Sequence, residues 1–243
     1  MIRPIPFIPI FLISLLLWVP SIDAEVLQVD SDSDGKMDQW HHLSGDNKII
    51  KVEYDKNGDY KIDQVDIFER KELPVKVEFD RNFDGIMDQR QVYNADGTLQ
   101  RVEKDSQFSG KLDLREYFGA DNQVTSVEID VNKDGKVDTW QTFSKLGKRT
   151  NAKYDENHNG SIDRWEIFDK TESLKEARFD TSGNGKPDQF QYFTGPTQLN
   201  KVEFDTNGNK KIDRWEFFDS QGHLERVELD NNHDGKIDIV KRK

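Results

Sequence analysis

Apolar and polar residues alternate along most of the chain. In "KVEFD" Val77 and Phe79 flank the polar Glu78, and the pattern returns as "KVEYD", "SVEID" and "RVELD". A second alternating stretch follows each of these, as in "DTWQTF", "DRWEIF", "DQFQYF" and "DRWEFF". There Trp165 and Ile167 share one face, with Arg164 and Glu166 on the other. A period of two over so few residues predicts short, half-buried strands. Turn sequences close the pairs: "NADG", "DSQG", "FTGP". A helix over "DRWEIFDKTESLKEARF" is excluded by its counterparts "YNADGTLQRVEK" and "YFTGPTQLNKVEF", which carry Asp-Gly and Gly-Pro at their centres. Those dipeptides punctuate helices, and copies of one repeat share one fold.

The two kinds of strand are joined by an acidic nonapeptide. It begins at Asp30, Asp55, Asp80, Asp105, Asp130, Asp155, Asp180, Asp205 and Asp230, a constant step of 25 residues. Nine units of strand, acidic loop, strand and turn predict about eighteen short strands, nearly all antiparallel. The expected fold is all-β: tandem 25-residue β-hairpin repeats over residues 25–243, with loops at 30–38, 55–63, 80–88, 105–113, 130–138, 155–163, 180–188, 205–213 and 230–238. Each hairpin is expected to have one apolar face, buried by stacking on its neighbours. With the first loop Asp as position 1, Val at position 23 and aromatics at 11, 14 and 25 form the ladders. Eighteen strands in one flat sheet is unusual. The sheet is therefore expected to curl into a solenoid or to split into two packed layers, with a β-propeller-like arrangement as the alternative.

Composition adds two constraints. Hydrophobic residues make up only 34%, but 15 Phe, 6 Tyr and 5 Trp argue for a folded chain with a thin core. There is no Cys, which excludes disulfides, thiol catalysis and Cys-ligated zinc. Residues 1–24 differ from the rest. Arg3, the apolar run Phe7–Val19 and "PSIDA" have the layout of a secretory signal peptide, with cleavage expected after Ala24. The apolar run is short for a bilayer span, so no membrane span is expected once it is removed. An exported protein, periplasmic, cell-surface or secreted, follows. Lacking disulfides, it needs another staple.

The nonapeptide supplies one. Positions 1 and 9 are Asp in all nine copies, positions 3 and 5 are mostly Asp or Asn, and position 6 is Gly in seven. Asx-turns alone explain positions 1, 3 and 6. They do not explain an Asp at position 9, past the turn, or several mutually repelling carboxylates held together. Hard cations take roughly six to eight oxygen ligands, and magnesium resists an all-protein cage, so Ca²⁺ fits best. His, Cys and Met are absent from these positions, which disfavours softer metals.

The candidate ligands are Asp30, Asp32, Asp34 and Asp38; Asp55, Asn57, Asp59 and Asp63; Asp80, Asn82, Asp84 and Asp88; Asp130, Asn132, Asp134 and Asp138; Asp155, Asn157, Asn159 and Asp163; Asp180, Ser182, Asn184 and Asp188; Asp205, Asn207, Asn209 and Asp213; and Asp230, Asn232, Asp234 and Asp238. The loops at Asp30, Asp80, Asp130 and Asp230, richest in Asp with Gly at position 6, are expected to bind best. The loops at Asp55 and Asp205 have their Gly displaced to Gly58 and Gly208. The loop at Asp105, with Gln107 and Ser109, is expected to bind least. The apolar residue at position 8 is expected to tuck beneath the loop. His158 and His233, at position 4, are expected to face solvent.

These loops resemble the D-x-[DN]-x-[DN]-G-x-x-D calcium loops of integrin-type FG-GAP repeats, and share their first half with thrombospondin type 3, dockerin and EF-hand loops. The resemblance covers each nonapeptide. It implies calcium binding between two strands of a hairpin. The mixed residues at position 12 do not match the acidic ligand of an EF-hand, and the tandem is only partly similar to bacterial YD-type repeats. No Ser-His-Asp, H-E-x-x-H or phosphate-loop pattern is present, so no enzyme is expected; a carbohydrate-active enzyme or accessory domain is the weakest alternative. A net charge of −12 disfavours nucleic acid as a partner. The expected function is a calcium-stabilised scaffold or adhesin-like binding module, whose partner is another protein or a surface glycan. The alternative is a calcium buffer or sensor.

Overall fold

A computed structural model describes residues 25–69 and 71–243, and the expected leader lies outside them. The described residues form eighteen strands, from β1 (Val26–Val29) to β18 (Ile239–Arg242), with no helix. Each strand pairs antiparallel with the strands before and after it in sequence. The result is one open meander of eighteen strands, neither a barrel nor a propeller nor two layers. All nine acidic loops lie along one edge and the turns along the other.

The loops set the register, and the register corrects the expectation of one apolar face. The N–H of each position-9 Asp donates to the carbonyl of the residue just before its loop, as Asp63 does to Tyr54 at 2.7 Å and Asp88 to Phe79 at 2.8 Å. That bond places position 10 opposite position 25, position 11 opposite 24, and position 12 opposite 23. Between β3 (Ile49–Tyr54) and β4 (Gln64–Ile67), Val52 therefore faces Asp66 and Glu53 faces Val65. Val77 stands between Asp66 and Gln91, and Glu78 between Val65 and Arg90. Directly opposed residues share a face. The apolar sets of the two strands are thus one residue out of phase, and both faces carry alternating apolar and polar rows.

One face buries the position-23 row: Val52, Val77, Val102, Ala152, Ala177 and Val202 are each 1–5% exposed. Polar position-12 residues fill the intervals. There Asp66 accepts from the Tyr54 hydroxyl at 3.2 Å and Glu166 from that of Tyr154 at 3.0 Å. The other face carries ion pairs. Arg90 bridges Glu78 at 2.8 Å and Glu103 at 3.1 Å, and Lys201 meets Glu203 at 2.8 Å. Seven hairpins contain a register shift at the same place, just before position 14, as between His42 and Leu43. A bulge strengthens local twist, so its repetition curls the sheet progressively.

Candidate metal loops

The nine loops share one backbone. Position 4 is left-handed in every copy: Ser33, Gly58, Phe83, Phe108, Lys133, His158, Gly183, Gly208 and His233 have φ between 54° and 75°. Position 6 is left-handed too, with φ from 67° at Tyr60 and 70° at Lys210 to 95° at Gly85. The displaced glycines therefore do not reshape their loops. Gly58 and Gly208 occupy the other left-handed position, while Tyr60 and Lys210 adopt the strained one. A side chain there costs roughly 1 kcal/mol relative to Gly. Tyr60→Gly and Lys210→Gly are each expected to stabilise the protein by about that amount in urea unfolding. No change in either variant would mean that the left-handed geometry is not kept in solution.

This backbone aims amide N–H groups at the acidic side chains. Asp80 accepts from the N–H groups of Phe83, at 2.7 Å, and Gly85, at 2.6 Å. Position 9 reaches back to the loop entrance, where Asp138 accepts from Val131 at 2.8 Å and Asn132 at 3.2 Å. Positions 3 and 5 cap the next turns, as Asn132 does for Asp134 at 2.9 Å and Asp134 for Lys136 at 2.8 Å. The same contacts recur with Asp30, Asp34 and Gly35, and with Asp230, Asp234 and Gly235.

Twelve Asp at positions 1 and 9 are buried, among them Asp55, Asp63, Asp80, Asp88, Asp105, Asp113 and Asp138. Burial pushes the Asp105 carboxyl up, but the N–H groups of Gln107 and Gly110, the Ser109 hydroxyl and the N–H of Lys111 together hold it below the usual range. For Asp188 burial is likewise outweighed by hydrogen bonds from Thr181 and Ser182. These groups stay ionised inside the fold. Two buried oxygens, Oδ1 of Asp63 and Oδ1 of Asp130, have no donor among the described residues.

In the first loop Asp30, Asp32 and Asp38 bring one oxygen each to within 4.8 Å of one another. That separation spans a calcium ion, whose oxygen ligands lie at about 2.3–2.6 Å. The Asn and Ser ligands of the other loops occupy equivalent positions on the shared backbone. Position 8 behaves as expected in the inner copies, which are half-buried. It is more open in the first and last loops, where Met37 is 43% and Ile237 48% exposed.

Neighbouring loops also touch. The N–H of each position-1 Asp donates to the position-9 carbonyl of the loop before, from Asp55 to Asp38 at 2.9 Å through Asp230 to Asp213 at 2.9 Å. His158 and His233 do not simply face solvent. Each leans across to the position-9 carboxylate of the preceding loop, Asp138 at 3.0 Å and Asp213 at 3.4 Å. Lys133 reaches Asp113 in the same way at 3.6 Å, and Arg81 pairs with Asp88 in its own loop. The sequence signal for this bridge was a basic residue at position 4, legible only once the loops were known to stack. Asp113, in the loop poorest in Asp ligands, is thus already supplied with a cation.

Fold and site together define a tandem β-hairpin array edged by acidic, hydrogen-bond-organised loops. No protein-family model and no curated protein matches the chain. Among solved structures it is similar to the GtfA/B complex bound to UDP and GlcNAc, at 10% identity over 51% of this chain and 21% of that one, TM-score 0.17. It is also similar to TcdB2-TccC3 without its hypervariable C-terminal region, at 10% identity over 82% and 13%, TM-score 0.25. A porin-like protein from Bacteroides uniformis aligns at 8% identity over 89% and 92%, TM-score 0.25. The chain spans about a fifth of the first of these and less of the second. Scores this low establish no shared fold, and the reading of the site stands on its own residues.

Proposed function

We propose that the protein is an exported calcium-binding repeat protein in which Ca²⁺ ions in the edge loops staple the hairpin array into a scaffold or adhesin-like binding module. The observation that carries this reading is the pair of buried, donor-less carboxylate oxygens, on Asp63 and Asp130, within loops whose backbone is constant whatever residues occupy it. Amide N–H groups neutralise part of the buried charge and leave these oxygens for a cation. The FG-GAP-like order of acidic positions supports the same ion. A scaffold role fits loops that organise themselves by hydrogen bonds, because binding then stiffens an existing shape.

Calorimetric titration of the mature protein tests this. Several sites of about 0.1–1 mM affinity are expected, in keeping with extracellular modules. Circular dichroism is expected to change little, which separates a stapled scaffold from a sensor that refolds on binding. Absence of calcium heat at millimolar concentration would rule the reading out.

A further inference from the structure

On the face that carries the ion pairs, position 11 of one strand and position 24 of the next form a continuous row across the sheet. From Glu78 onward acids and bases alternate along it: Glu78, Arg90, Glu103, Arg115, Glu128. Arg115 lies 3.7 Å from Glu103 and 3.6 Å from Glu128. The row then changes character. From β10 (Thr139–Phe143) through β11 (Arg149–Tyr154), β12 (Arg164–Phe168), β13 (Leu174–Phe179) and β14 (Gln189–Thr194), it reads Trp140, Lys153, Trp165, Arg178, Phe190. Each member is directly opposite the next, so all five project from one face.

Lys153 is exposed and stands between two half-exposed indoles. Among the described residues its ammonium has no ionic partner, unlike the cations of the flanking units. Position 22, basic in most copies, is here Ser126 and Asn151. These short side chains, with Thr142, open a groove of about 300 Å³ beside Trp140, Glu128 and Lys153. The Ser126 hydroxyl and the Trp140 indole N–H are also without a hydrogen-bond partner among the described residues.

We propose that this strip binds a linear anionic polysaccharide, its sugar rings stacked on Trp140, Trp165 and Phe190 and its carboxylate or sulfate groups paired with Lys153. The spacing fits. Alternate strands lie about 9.6 Å apart, close to the length of one disaccharide in an extended β-linked chain. Aromatic rings so placed meet every second sugar, with a cation between. The charge fits at Lys153, which has no ionic partner among the described residues, whereas Arg178 already pairs with Glu176 at 2.6 Å on the same face. Sheet twist turns each ring relative to the next, which suits a single soluble chain and not a flat crystalline surface. The proposal is independent of calcium, since the strip shares no residue with the acidic positions of the loops.

The test uses the mature protein and three hexasaccharides: of β-(1→4)-linked mannuronate, of chondroitin sulfate and, as a neutral control, of cellulose. Binding is followed by tryptophan fluorescence and calorimetry. At least one acidic hexasaccharide is expected to bind more tightly than the neutral one. Lys153→Glu and the double variant Trp140→Ala/Trp165→Ala are each expected to weaken it tenfold or more, with Trp215→Ala unchanged. Trp215 lies between Glu203 and Glu228 in the same row and controls for nonspecific stacking. Unchanged melting temperature for Lys153→Glu keeps the result interpretable if the double variant folds poorly. The proposal is overturned if neither acidic hexasaccharide binds, if the neutral one binds as well, if Lys153→Glu binds normally, or if a thymidine hexanucleotide binds more tightly than either.

Discussion

Chelating calcium is expected to lower the melting temperature of the mature protein by roughly 20 °C or more, relative to 10 mM Ca²⁺. At 10 mM Ca²⁺ a site of about 0.1 mM affinity is held at about a hundred times its dissociation constant and contributes about 2.7 kcal/mol, because the ion binds the folded loop and not the unfolded chain. In a domain of this length, 1 kcal/mol moves the transition by about 2–4 °C. The four loops starting at Asp30, Asp80, Asp130 and Asp230, if filled, suffice for the effect. Magnesium at the same concentration is expected to restore only a small part of it, since it gives up its water reluctantly. The measurement is a thermal melt by far-UV circular dichroism with chelator, calcium or magnesium. Superimposable melts in calcium and chelator would sink the stapling role.

The second large effect is expected from Asp138→Ala. Asp138 is buried and accepts from the N–H groups of Val131 and Asn132. Burial pushes its carboxyl up, but the hydrogen bond from His158 and those two amides prevail and hold it below the usual range. Alanine leaves the N–H groups of Val131 and Asn132 without their acceptor, at about 1–3 kcal/mol for each group kept from water. A loss of about 2–5 kcal/mol is expected even without calcium. Asp138→Asn keeps one acceptor oxygen, so it is expected to cost less in chelator and yet lose most of the loop's calcium-dependent gain. Because the loop lies at the middle of the array, Asp138→Ala is also expected to split urea unfolding into two steps. If Ala and Asn variants unfolded alike in both conditions, the carboxylate would have no organising role.

Much of this architecture was legible in the chain. The period of two along "KVEF" and "RWEIF" specified strands, and the constant step of 25 residues specified their number. What alternation could not convey was the phase between the two strands of a hairpin. That phase is fixed by the loop, through bonds such as Asp63 N–H to Tyr54, and it opposes Glu53 to Val65 where matching hydrophobicity would have opposed Val52 to Val65. A local backbone constraint outweighed side-chain sorting, so a one-residue offset placed apolar rows on both faces. The place of each loop between the two strands of a hairpin was legible in the chain. Their equivalence was not, because Gly58 and Gly208 looked like defects until position 4 proved left-handed in all nine copies. The reach of His158 and His233 depends on loop stacking, a contact between residues 20 apart that no pattern within one loop contains.

Spatial order in this sheet is the same as order along the chain. Every contact between strands is therefore made with the hairpin just finished or the one about to form, and relative contact order is low for an all-β protein. Hairpins close in roughly 1–10 μs, and topologies built from local pairs fold faster than those that must join distant segments. The array can thus grow by accretion, each unit docking on the edge left by the last. A chain emerging gradually from a narrow channel would find its partner strand already in place at every step.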